Sequence, residues 1–196
     1  MDDTAPVRRA VLAVAALNLG YFGIEFAVAL AIGSVALFAD SVDFLEDASV
    51  NILIALALRW SPAKRAQLGK VLALILLAPA IAGLWTAGEK FFTPAVPAPL
   101  PLTVTGLGAL IVNLGCALIL ARVRDHQGSL TRAAFLSARN DAYANIAIIA
   151  VGLVTAGLWR SVWPDLIVGV GIALMNADAA REVWEAAHEE HKAAKA

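Results

Sequence analysis

The chain has 196 residues, of which 60% are hydrophobic and 16% are charged, and its mean hydropathy is +0.75. Soluble domains are less apolar and about a quarter charged, so this composition excludes an ordinary water-soluble fold. The net charge of -1 argues against nucleic acid as a partner, and the lone Cys116 excludes an internal disulfide and a thiolate metal cluster.

Six apolar stretches are long enough, or nearly long enough, to cross a bilayer, which takes about 20 residues. The first two are separated by a tight Gly33-Ser34 turn, and the third and fourth by a proline-rich loop from Phe92 to Pro101. The sequence therefore predicts an all-α, polytopic membrane protein. Its six transmembrane helices are expected at Ala10–Ile32, Val35–Leu58, Gly69–Ala87, Leu102–Ala121, Ala133–Leu158 and Pro164–Ala177.

The distribution of lysine and arginine predicts the orientation. One end of the predicted helices carries only Lys90 and Arg160, whereas twelve lysines and arginines lie at the other end. Because cytoplasmic loops are enriched in these residues, both termini are expected in the cytoplasm. The chain is expected in a cell membrane, and the bacterial inner membrane is the first choice. Residues 1–180 are expected to form one transmembrane domain. Residues 181–196 are expected to be a short, charged, helical tail, with no separate soluble domain.

Acidic side chains inside the second predicted helix are the strongest functional signal. An acid at a helix centre costs roughly 2.5–3.5 kcal/mol on membrane-insertion scales, so several acids need a cavity, a bound cation or one another. Asp43 and Asp47 lie four residues apart and therefore share one helical face. Asp40 and Asn51 extend this stripe, and Glu46 lies off it, where a packing contact is expected.

The fifth predicted helix carries a second polar stripe with the same spacing. Its members are Ser137, Asp141 and Asn145, and Asn140 lies beside it. Asp43 and Asp141 each lie about eight residues inside their helices from opposite ends, roughly 12 Å along the axis, in a core about 30 Å thick. The two stripes are therefore predicted to face each other at mid-membrane.

The carboxylates of Asp43, Asp47 and Asp141 are thus expected to converge. They would repel one another, and either a divalent cation or protons would relieve that repulsion. Because cation binding then displaces protons, the arrangement favours exchange of metal for protons. Glu25 in the first predicted helix and Asp40 are expected to line an exit pathway on the outer side, with interhelical hydrogen bonding as the alternative.

These residues resemble the cation diffusion facilitator family of metal/proton antiporters. The resemblance covers the six-helix region and is carried by Ala39 to Asp47 (ADSVDFLED) after the Gly-Ser turn, Asn140-Asp141 with Asn145, and Trp163-Pro164-Asp165. It implies that Asp43, Asp47 and Asp141 hold the transported metal. Separately, Gly106, Gly108 and Gly115 permit close helix packing, and a homodimer formed through transmembrane helices is expected.

The sequence departs from the family pattern in two places. Ser137 stands where the family has a histidine or aspartate, so the remaining ligand is left open among Ser137, Asn140, Asn145, Asn51 and water. The cytoplasmic domain that usually follows the sixth helix is also expected to be missing, which would make this a minimal, transmembrane-only member.

The predicted function is export of divalent transition-metal cations from the cytoplasm in exchange for protons, without enzymatic activity or a permanently bound cofactor. By the resemblance, zinc is the first substrate and cadmium a second, while an all-oxygen site keeps manganese and ferrous iron open. The alternatives are a passive cation channel and a non-transporting metal-binding subunit of the membrane. Whether His188 and His191 in the tail bind metal or are simply solvated is also open.

Overall fold

The structure is a computed structural model that describes residues 4–58, 60, 62–123 and 129–193, with the side chains of most of them. Its described part contains six helices and no strand, which confirms the prediction of an all-α protein with six helices. The helices are α1 (Thr4–Ile32), α2 (Val35–Ala57), α3 (Pro62–Phe92), α4 (Pro99–Ala121), α5 (Ser129–Gly157) and α6 (Trp163–Ala193).

Most helices extend past the predicted spans: α1 and α5 begin earlier than expected, and α3 is longer at both ends. The proline-rich loop is shorter than expected, because α4 begins at Pro99 and includes Pro101 in its first turn. Proline is tolerated there, since the first turn of a helix needs no N–H donor and proline presets the backbone angle. The last helix is longer than expected and runs without a break through Ala193, so the charged tail continues α6.

Large apolar side chains cover the outside of the helices, and Leu158 and Phe92 are more than four-fifths exposed. Soluble monomers rarely expose contiguous apolar surface on this scale, whereas lipid accommodates it. Within the described residues, α1 and α4 are long and apolar enough to cross a membrane, judged by length and composition alone. The four acids of α2 interrupt its apolar character. The chain is a polytopic membrane protein whose polar residues are concentrated inside the bundle.

Helix α2 lies at the centre of the bundle. It packs against α1, α3, α5 and α6, while α1 also packs on α4, α4 on α5, and α3 on α6. The approach of α6 to α2 is close at Gly169, where an added methyl group would come within 3.0 Å of the backbone of Val35 and Ala36. Because α2 is enclosed by four helices, its acidic residues are kept away from lipid.

A buried ion pair fixes the start of α2. Gly33 has a φ of 64°, which lets the chain reverse after α1, and Ser34 caps α2. Asp165 at the start of α6 accepts hydrogen bonds from Ser34 Oγ at 2.6 Å and from the Val35 N–H at 2.8 Å. Lys90 of α3 donates to Asp165 at 2.8 Å and also to the Gly33 carbonyl. This network ties the α1–α2 turn to α3 and α6.

We expect Lys90→Met to destabilise the fold by about 3–5 kcal/mol, because removing one partner of a buried ion pair leaves the other charge buried and poorly compensated. Equilibrium unfolding in mixed detergent micelles measures the change. Arg160→Met is the matched control, because Arg160 is an exposed cation in the turn between α5 and α6. Equal stability of the two variants would contradict a structural role for the ion pair.

Candidate metal centre

Acidic residues of α2 and α5 meet inside the bundle. Asp47 is buried, and the carboxyl group of the half-buried Asp141 lies within hydrogen-bonding reach of it. The structure therefore brings together these two predicted site residues, named here the central carboxyl pair. Two carboxyl groups can share a hydrogen bond only when one of them carries a proton. Their contact thus requires either a proton or a cation in the same place.

The third predicted ligand, Asp43, has its closest polar partner on another helix. Asn176 of α6 donates a hydrogen bond to Asp43 Oδ1, and the charge of Asp43 interacts with that of Asp141. Across the described residues, no three His, Cys, Asp or Glu side chains are grouped tightly enough to hold a metal ion. Asp43 is therefore near the central carboxyl pair without forming a complete ligand shell with it.

Asparagines from α1 and α2 orient Asp47. Asn18 Nδ2 donates to Asp47 Oδ2 at 3.3 Å, and the Cys116 thiol donates to Asn18 Oδ1 at 3.4 Å. Asn51 donates to the backbone carbonyl of Asp47 at 2.8 Å, and within the described residues its own Oδ1 has no donor. Polar side chains of α1 and α4 thus extend the hydrogen-bond network around Asp47.

Glu46 lies closer to the acidic residues than its sequence position suggested. It is 8% exposed, its charge interacts with those of Asp47 and Asp141, and no donor among the described residues reaches its Oε2. We expected a packing contact for Glu46, because it lies off the four-residue stripe. Its three-residue spacing from Asp43 was the signal that could have placed it on the same side of α2.

One member of the polar stripe of α5, Asn145, binds Asp40 of α2. Asn145 is fully buried, accepts a hydrogen bond from Asn113 of α4 at 3.1 Å, and donates to Asp40 Oδ2 at 2.5 Å. Asn140 is exposed. The side chain of Ser137 lies outside the described residues, so the structure does not address its predicted role.

The remaining sequence-predicted residues lie at two further places. Glu25 of α1 and Asp40 of α2 are fully buried near each other, and the exit pathway predicted for them stays a prediction. In the tail, His188 is exposed, and the side chain of His191 lies outside the described residues.

Comparison with known proteins gives the family. Residues 11–188 match the family described as the cation efflux transmembrane domain. The chain belongs to this family. Two curated relatives are the zinc transporters ZitB of Yersinia pseudotuberculosis serotype I (strain IP32953) and of Yersinia pestis, each 28% identical over 171 residues. These alignments cover 80% of this chain and 54% of each relative, so the chain spans about half the length of the curated relatives it matches. The resemblance to the cation diffusion facilitator family is confirmed.

We expect Asn145→Ala to destabilise the protein by about 1–3 kcal/mol, since it deprives Asp40 of a donor and Asn113 of an acceptor. Thermal unfolding in detergent, followed by circular dichroism, measures the loss. Asn140→Ala makes the same chemical change at an exposed position of the same helix, and should stay within about 0.5 kcal/mol of the parent protein. Similar unfolding of both variants would show that the buried amide chain contributes nothing.

Proposed function

We propose that this protein is a secondary transporter that exports divalent transition-metal cations from the cytoplasm in exchange for protons. The observation that carries the proposal is the contact between the carboxyl groups of Asp47 and Asp141, which joins α2 and α5 inside a membrane bundle. Acidic groups at that depth are costly unless positive charge accompanies them. Membership of the cation efflux family supports the same reading.

In this proposal, Asp43, Asp47 and Asp141 hold the transported ion. Glu46 Oε2 and Asn51 Oδ1, to which no described group donates, are further candidate oxygens, and water completes the shell. The curated relatives are named zinc transporters, so we take zinc as the first substrate and cadmium as the second. The all-oxygen donor set also suits manganese and ferrous iron, which are harder cations.

Proton coupling would follow from competition at the central carboxyl pair. A proton shared between Asp47 and Asp141 and a divalent cation need the same oxygen atoms, so binding of one releases the other. If the site opens alternately to the two sides of the membrane, that competition links the outward movement of metal to the inward movement of protons. No permanently bound cofactor takes part in this scheme.

Two further parts of the proposal concern placement. The excess of lysine and arginine at one end of the bundle supports cytoplasmic termini, in the inner membrane of a bacterium. A homodimer formed through transmembrane helices is also part of the proposal, supported by the glycines of α4, which permit close helix packing.

Flux measurements in proteoliposomes test the proposal. We expect vesicles containing the protein to accumulate zinc and cadmium when a pH gradient drives the exchange. Asp47→Asn should lower this flux at least tenfold while leaving the protein folded, because the variant removes a buried charge. The panel also contains manganese and ferrous iron. Asp178→Asn, which changes an exposed aspartate of α6, should transport like the parent protein.

Each alternative predicts a different result in the same assay. Metal flux that ignores the pH gradient would identify a passive channel. Metal binding without flux, in protein shown to be folded, would identify a non-transporting subunit. Full activity of Asp47→Asn would remove the central carboxyl pair from the mechanism.

A further inference from the structure

A second pair of acids lies between α1 and α2, apart from the central carboxyl pair. Glu25 and Asp40 are both 0% exposed, and their carboxyl groups lie within hydrogen-bonding reach of each other. Asp40 precedes Asp47 by two helical turns, or about 10 Å along α2 toward the Gly33-Ser34 turn. We name Glu25 and Asp40 the outer carboxyl pair.

The outer carboxyl pair has more acceptor oxygens than there are described groups that donate to them. Within the described part of the chain, no N–H or O–H group donates to either oxygen of Glu25 or to Asp40 Oδ1. The other Asp40 oxygen accepts from Asn145 Nδ2 at 2.5 Å. The neighbouring Tyr21 hydroxyl donates elsewhere, to the Thr105 carbonyl at 2.6 Å. Because buried acceptors are almost always paired, three unpaired oxygens in one place indicate a missing partner, either a proton or a cation.

The oxygen atoms are also held in place from outside the pair. Asn113 of α4 donates to Asn145, which in turn donates to Asp40, so a chain of amides running from α4 through α5 fixes one carboxyl group. Asn113 Oδ1, at the far end of this chain, is a further buried oxygen that no described donor reaches. The arrangement therefore combines two buried carboxyl groups, one of them fixed by an amide, with three oxygens that no described group donates to, which is the chemistry of a cation site.

We propose that Glu25 and Asp40 form a second binding site for the divalent cation, which the ion occupies after it leaves the central carboxyl pair for the outside. This inference rests on the proposed function. Two carboxylates match the charge of a divalent ion, and water completes its coordination. With two carboxylates, the outer carboxyl pair should hold the ion less tightly than the three aspartates proposed for the central site, and weak binding suits a release step, because a conducting pathway must let each ion leave.

The number of ions bound per chain tests this proposal. Equilibrium dialysis of the purified full chain against zinc, and separately against cadmium, should give two bound ions, one tight and one weak. We expect Glu25→Gln, which removes a charge and little volume, to weaken the second site at least tenfold and to leave the tight site within twofold. Asp47→Asn should remove the tight ion.

A matched control and a second variant keep the result decisive. Asp178→Asn changes an exposed aspartate and should bind both ions. If thermal unfolding shows that Glu25→Gln does not fold, Asp40→Asn tests the same pair from the other helix. Two-ion binding that is unchanged in both Glu25→Gln and Asp40→Asn would overturn the outer site.

The remaining outcomes separate this inference from the proposed function. A single bound ion in the parent protein, lost in Asp47→Asn, overturns the outer site but leaves the proposed function intact. The same holds if Glu25→Gln binds two ions but its metal flux no longer depends on the pH gradient, because the outer carboxyl pair would then carry a proton and not a metal ion. If Asp47→Asn keeps both ions and full flux, the proposed function itself fails.

Discussion

Negative charge inside an apolar bundle is the constraint on which the rest of this structure depends. Helix α2 carries four acids, and none of them can face lipid without a cost of several kcal/mol. The surrounding helices shield these acids from lipid, since α1, α3, α5 and α6 all pack on α2 and leave their own large apolar side chains on the outside. The bundle is therefore organised around its most polar helix, in contrast to a soluble protein, where the most apolar element occupies the centre.

The buried acids differ in how far their charge is compensated. Asp165 accepts hydrogen bonds from a lysine, a serine and two backbone N–H groups, so its role is structural and complete. Glu25 and Asp40 receive one described amide donor between them, and Asp47 receives an amide donor from Asn18 and contacts another acid. Burial is equal in the two cases, and the supply of donors is what distinguishes an acid that holds the fold from one suited to receiving a cation.

The sequence was sufficient for features that depend on one helix at a time. The spans, the Gly33 turn and the facing of Asp47 and Asp141 follow from apolar length, from glycine's backbone freedom and from four-residue spacing combined with depth. The contact of Asn176 with Asp43 could not be found this way, because it depends on how closely α6 approaches α2. The position of Asn145 on Asp40 rather than on the central carboxyl pair likewise depends on the relative rotation of packed helices, which no periodicity within one helix reveals.

The contacts of α2 fall into two groups that cation binding affects differently. Its links to α3 and α6 at the outer end run through Lys90 and Asp165, whose charges already balance. Its polar links to α1 and α5 run through Asp40 and Asp47, acids that the two proposals assign to cations, and the Asn176 contact to Asp43 is a similar link on α6. A ligand shifts a conformational equilibrium only through interactions that differ between the states. Under the proposed function, cation occupancy would change the free energy of the second group of contacts and leave the first nearly untouched, so the boundary between α2 and the α1 and α5 helices is where binding energy would be available to drive movement.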